Sequence, residues 1–226
     1  MNHLSPPQVL PSKQQIQQLP IFQNLPPQQI VVINSLAQCH EVEQELTACK
    51  ILGFDTESKP TFTKGEVSTG PHLIQLASDE KAYLFQISPP ILDFLKPIFA
   101  SKNQIKVGFG LKNDAHLFRK KGIELNQIVE LSKCFSGLGF SQTMGLKNAM
   151  ALLFQVNFPK SKKISTSNWA RKTLTTSQIE YAAADAYAAV LVFEELLRLN
   201  LLPAHLLDTS FKSAIIPNKI KAETDA

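Results

Sequence analysis

Lys50-Ile51-Leu52-Gly53-Phe54-Asp55-Thr56-Glu57-Ser58 is the stretch on which the reading of this chain turns. Its first half is apolar enough to predict a strand over 50–55, buried on both faces inside a sheet. Side chains two apart on a strand share a face, so Asp55 and Glu57 point the same way as the strand runs out. Adjacent carboxylates at a buried strand end repel one another and lose hydration, which is costly unless a cation or hydrogen-bond donors compensate. A hard divalent cation, which prefers oxygen ligands, is the natural compensator. Alone, the pair fits equally well a solvated strand end with two surface acids.

Working outward, short apolar runs alternate with helical patterns. Strands are predicted over 30–33, 72–77, 82–87, 104–109 and 129–135, with Ser78-Asp79-Glu80-Lys81 as the turn between the second and third of these. Helices are predicted over 38–46, 91–100, 112–121 (stopped by Gly122), 144–154 and 176–200. Strands that pair early and then alternate with helices indicate an α/β domain with a mixed central sheet flanked by helices. Residues 1–29, rich in Pro and Gln, read as a partly ordered arm with few residues able to form a core; 30–207 read as the domain and 208–226 as a polar tail.

The net charge of +4 mildly favours a polyanionic partner without marking a strongly basic surface. Cys39, Cys49 and Cys134 are odd in number and lack C-x-x-C spacing, so they suggest reduced thiols and neither a disulfide framework nor a zinc site. No apolar run is long enough to span a bilayer, and no basic segment leads into an apolar one at the N-terminus. A cytoplasmic location without membrane association is the expectation.

Two more segments carry acids. In Val107-Gly108-Phe109-Gly110-Leu111-Lys112-Asn113-Asp114 an apolar strand passes through glycines into a helix whose first turn holds Asp114. In Tyr181-Ala182-Ala183-Ala184-Asp185 the tyrosine and the acid are four apart and share one helical face. Thr175 and Gln178 have the spacing of a capping box, and the alanines permit close approach to another surface. Separately, each fits an ordinary helix: an Asp that suits the dipole, or a packed Tyr beside an exposed Asp.

Together, Asp-x-Glu on an early strand, Asp at a helix start and Tyr-x-x-x-Asp on a late helix resemble the DEDDy branch of the 3′–5′ exonuclease superfamily, which includes RNase D and the Werner-helicase exonuclease domain. The resemblance covers about residues 30–200, and Lys64-Gly65-Glu66, Leu73-Ile74-Gln75-Leu76-Ala77 and Ser167-Asn168-Trp169 agree with it. A sister branch has His five residues before the last Asp; Glu180 stands there in this chain. The resemblance implies an RNase H-like fold and hydrolysis of DNA or RNA from the 3′ end to nucleoside 5′-monophosphates. It also implies two Mg²⁺ or Mn²⁺ ions held by Asp55, Glu57, Asp114 and Asp185, with Tyr181 orienting the attacking water. For substrate contacts, the backbone of Thr56 is a candidate for the terminal nucleotide. Trp169, after Lys160, Lys162 and Lys163, is either a base-stacking residue or the anchor of a loop. A non-catalytic nucleic-acid-binding module on the same fold and a small-nucleotide phosphodiesterase are the alternatives.

Overall fold

A computed structural model describes residues 9–61, 69–203 and 206. In chain order its elements are α1 (Lys13–Gln18), β1 (Ile30–Ile33), α2 (Leu36–Ala48), β2 (Ile51–Glu57), β3 (Leu73–Ala77), β4 (Ala82–Gln86), α3 (Pro89–Ala100), β5 (Ile105–Gly108), α4 (Lys112–Lys120), β6 (Ile128–Glu130), α5 (Leu146–Phe154), α6 (Lys162–Ser165) and α7 (Thr176–Arg198). The strands form one mixed sheet in the order β1-β4-β3-β2-β5-β6. β3 is antiparallel to both β2 and β4, whereas β5 runs parallel to β2 and to β6. Among the described residues no helix is long and apolar enough to cross a membrane.

The alternation of β2 sends its residues into two different cores. Leu52 and Phe54 face α2, α3 and α4, where Phe54 stacks on Phe118 at 5.8 Å between ring centroids. Gly53, Asp55 and Glu57 face the other way, towards α7. That long helix lies over the sheet through Ala182, Ala183, Ala186 and Val190, which pack on Leu73 and Ala77 of β3. Gly53 is what allows the approach, because a Cβ there would stand 1.9 Å from the carbonyl oxygen of Ala186 and 2.9 Å from Cγ2 of Val190. The neighbour of Ala186 in the chain is Asp185, so the same contact sets how near that acid comes to Asp55.

The sequence reading and the fold differ in two places, one with a local cause and one without. The strand expected over 129–135 ends at Glu130, whose side chain accepts from the Ser132 N–H and turns the chain into a short 3-10 helix, Leu131–Lys133. The expectation that residues before 30 have little to give a core is corrected. Ile16, Phe22 and Leu25 are buried, and the backbone of this segment bonds to Asn157 through Phe22 and Pro20. Their spacing among prolines and glutamines follows no period, so no pattern revealed them. Lys64-Gly65-Glu66 and the tail 208–226 lie outside the described residues.

Because no alanine methyl fits between β2 and α7, Gly53→Ala has to push the helix away. A loss of at least about 2 kcal/mol of unfolding free energy is expected, in the upper range of overpacked cores, measured by denaturant titration. A loss below about 0.5 kcal/mol would mean that α7 does not depend on this contact.

Candidate active site

The three acid-bearing segments meet at the end of β2. Asp55 and Glu57 come from the strand. Asp114 comes from the first turn of α4, which two features hold in place. Gly110 adopts a left-handed backbone (φ 77°) that few other residues tolerate, and the Glu130 carboxylate accepts from the N–H groups of Gly110 at 3.0 Å and Leu111 at 2.7 Å. Asp185 comes from α7, whose start is fixed by the capping box foreseen in the sequence: Thr175 Oγ1 accepts from Gln178 N–H, and Gln178 Oε1 accepts from Thr175 N–H. The Gln178 amide also donates to Ser167 Oγ at 2.9 Å and to the Asn168 carbonyl at 3.2 Å, which ties the preceding loop to the helix.

These acids feel one another strongly. Burial pushes the Glu57 carboxyl up to about 9, assisted by repulsion from Asp55, Asp185 and Asp114. Asp55 is driven far above the usual carboxylate range, first by burial and then by the negative charge of Asp185. Asp185 and Asp114 are raised by burial as well, although Lys160 opposes the rise at Asp185 and the Thr56 hydroxyl opposes it at Asp114. Tyr181, one turn before Asp185, has its phenol raised by burial and by the nearby acids, so its hydroxyl keeps its proton.

The cation facing this charge is Lys160. Its Nζ stands 3.1 Å from Asp185 Oδ1 and 3.2 Å from Oδ2, and 5.8 Å from the centroid of the Tyr181 ring. Oδ1 of Asp185 is buried and receives no properly directed hydrogen bond, only this ion pair. Among the described residues no three His, Cys, Asp or Glu side chains stand together at the spacing of a metal-ligand set. Lys160 lies across Asp185 and the Thr56 hydroxyl bonds to Asp114, so two of the acids are turned to protein partners. The donor set still suits a hard cation: it is all oxygen, and it contains carboxylates that cannot all ionise without added positive charge.

Two expected substrate contacts look different in the fold. Thr56 has its N–H on Asp55 Oδ1 at 2.8 Å and its hydroxyl on Asp114, so it braces two acids where a nucleotide contact was expected. Of the two readings of Trp169, the fold favours the loop anchor. The ring is 1% exposed, its Nε1 donates to the Ser165 carbonyl at 3.1 Å, and it packs 6.1 Å from the Tyr181 ring, as an anchor for the loop before α7. His116 is exposed. The sequence reading missed the work of Lys160 and Glu130. Lys160 is 25 residues from its partner and had no local signal. The closeness of Glu130 to the Gly110 turn depends on β5 and β6 pairing.

A model described as 3′-5′ exonuclease matches residues 30–200. The bifunctional 3′-5′ exonuclease/ATP-dependent helicase WRN of Mus musculus is 29% identical over 193 residues, 80% of this chain and 14% of that protein. A 3′-5′ exonuclease of Arabidopsis thaliana is 25% identical over 155 residues, 66% of this chain and 53% of that protein. The chain thus spans about half the length of these relatives or less. Among solved structures, the Nibbler EXO domain of Aedes aegypti superposes with a TM-score of 0.67 at 22% identity, covering 80% of this chain and 95% of that one. Escherichia coli RNase D gives 0.64 at 22% identity, covering 78% and 48%. These two share the fold.

The raised acids make metal-free stability depend on pH with a definite sign. A carboxyl ordinarily near 4.5 and lifted to about 9 on folding, as at Glu57, stabilises the folded chain fully below about 4.5. That contribution is lost as pH rises through about 9. In chelator, the melting temperature of the native chain relative to Glu57→Gln should therefore fall steadily from pH 5 to pH 9. A difference that stays flat or widens in the other direction would contradict the burial of this acid.

Proposed function

The chain belongs to the 3′–5′ exonuclease family, and from that membership we propose that it hydrolyses phosphodiester bonds of DNA or RNA from the 3′ end, releasing nucleoside 5′-monophosphates. The observation that carries the proposal is the gathering of Asp55, Glu57, Asp114 and Asp185 at one strand end, beside a tyrosine whose hydroxyl stays protonated. On this reading the four acids hold two divalent ions, Mg²⁺ or Mn²⁺, which supply charge compensation at the attacking and departing oxygens when bound.

The remaining work falls to the protein. Tyr181 orients the attacking water through its hydroxyl; with its phenol raised it is no base. Thr56 braces Asp55 and Asp114 from the strand between them. Glu130 fixes the start of α4 and with it the position of Asp114. Lys160 shields Asp185 when no other cation is at hand, and its partly exposed side chain is free to turn towards a phosphate when one is. The Pro/Gln-rich start of the chain adds Phe22, Asn24 and Leu25 to a cleft of about 770 Å³ that runs up to Lys160 and Tyr181. Its lining includes Tyr181 and Ala184 of α7, the helix that carries Asp185, and none of the four acids.

The test is digestion of 3′- and 5′-labelled DNA and RNA, with Mg²⁺, with Mn²⁺ and in excess EDTA. Shortening from the 3′ end that stops in EDTA is expected; shortening from the 5′ end, or full activity in EDTA, overturns the proposal. Asp185→Ala should abolish both metal binding and hydrolysis. Tyr181→Phe should lower turnover by about 100-fold with metal and nucleic-acid affinity unchanged, the size expected when a reactant loses its alignment. Turnover equal to that of the native chain in Tyr181→Phe would remove the water-orienting role and leave the acids standing.

A further inference from the structure

Among the described residues the buried side-chain atoms without a hydrogen-bond partner are Asn157 Oδ1, Asp185 Oδ1 and both polar atoms of Gln75. Gln104 donates to the carbonyls of Leu46 at 2.7 Å and Cys49 at 2.8 Å. Lys106, wholly buried, donates to Ile98, Ser101 and Gln104 carbonyls. Gln178 bridges the capping box and the loop before it. Gln75 is 0% exposed, yet among the described residues neither its Oε1 nor its Nε2 has a hydrogen-bond partner. An amide left so in a core is a net cost to folding, and an apolar side chain of the same shape would serve packing better.

Its position says what it is for. Gln75 sits in the middle of β3, directly opposite Asp55 on β2. Opposite residues of an antiparallel pair share a face, with their Cβ atoms about 5 Å apart. Its neighbours on that face, Leu73 and Ala77, are roofed by Ala182, Ala183 and Ala186 of α7, so the amide is closed off from water on the side where Asp185 descends. Asp55 has one oxygen, Oδ1, committed to the Thr56 N–H.

We propose that Gln75 is a positioning residue: its Nε2–H donates to the second oxygen of the Asp55 carboxylate when a divalent cation is bound there, and so fixes the ligand in the orientation the cation needs. The inference rests on the four-acid reading above and adds to it a donor outside the ligand set. Groups that hydrogen-bond metal-ligating carboxylates typically change metal affinity by about 10–100-fold.

The test is Gln75→Met, which keeps the length and volume of the side chain and removes the amide, with Gln75→Leu as a second variant should Met pack badly. Mn²⁺ affinity is measured by titration calorimetry on the whole chain, beside the metal-free melting temperature. The expected result is a metal-free melting temperature equal to or above that of the native chain, with Mn²⁺ affinity lower by about tenfold or more. In an Asp55→Asn background the same substitution should leave the residual Mn²⁺ affinity unchanged, which a purely structural role for Gln75 would not predict. Native Mn²⁺ affinity in a folded Gln75→Met or Gln75→Leu chain overturns the proposal while Asp185→Ala still loses the metal. A native chain that fails to bind Mn²⁺ overturns the four-acid reading and this one with it.

Discussion

Everything at this site follows from one electrostatic constraint: negative charge is concentrated at the end of β2, where water is scarce. Asp55, Glu57, Asp114 and Asp185 are all pushed towards their protonated forms, and burial is the first cause for each. A protein gains nothing in stability from such a cluster, since desolvation and mutual repulsion act together. The cluster makes sense as a receptor for positive charge. In the metal-free chain Lys160 provides part of it at Asp185, and the Thr56 N–H and hydroxyl provide hydrogen bonds to Asp55 and Asp114.

Much of the surrounding architecture serves to hold these acids together against that repulsion. Gly53 removes a side chain so that the backbone of α7 can lie on the sheet beside Asp185. Glu130, on the strand next but one to β2, anchors the turn into α4 through two backbone N–H groups and so sets the position of Asp114. The capping box of α7 and the buried Trp169 fix the loop between α6 and α7. These supports come from rigid elements, as pre-organised polar sites require.

A strand period puts Asp55 and Glu57 on one face, a glycine-to-helix turn holds Asp114 and an i, i+4 spacing pairs Tyr181 with Asp185, but each pattern alone fits an ordinary strand end or helix, and the resemblance to a known family is what joins them. The strands of the sheet were legible from local patterns, as was the capping box. What escaped was non-local. Lys160 meets Asp185 across 25 positions, and Gln75 meets Asp55 only through strand register. Phe22 and Leu25 joined the core from a segment whose prolines and glutamines hide any period. For Trp169 the sequence leaves a stacking ring and a loop anchor both open, because burial is decided by what folds over the ring.

The central claim is that Glu57, pushed up to about 9 by burial and by the neighbouring acids, keeps its proton until a divalent cation compensates it, and proton release on metal binding tests it most directly. Mn²⁺ titrated into the chelator-stripped chain near pH 7, by calorimetry in buffers of different ionisation enthalpy, should release roughly one proton or more per chain. Mn²⁺ binding with no proton released would show Glu57 to be already ionised, and would contradict the account.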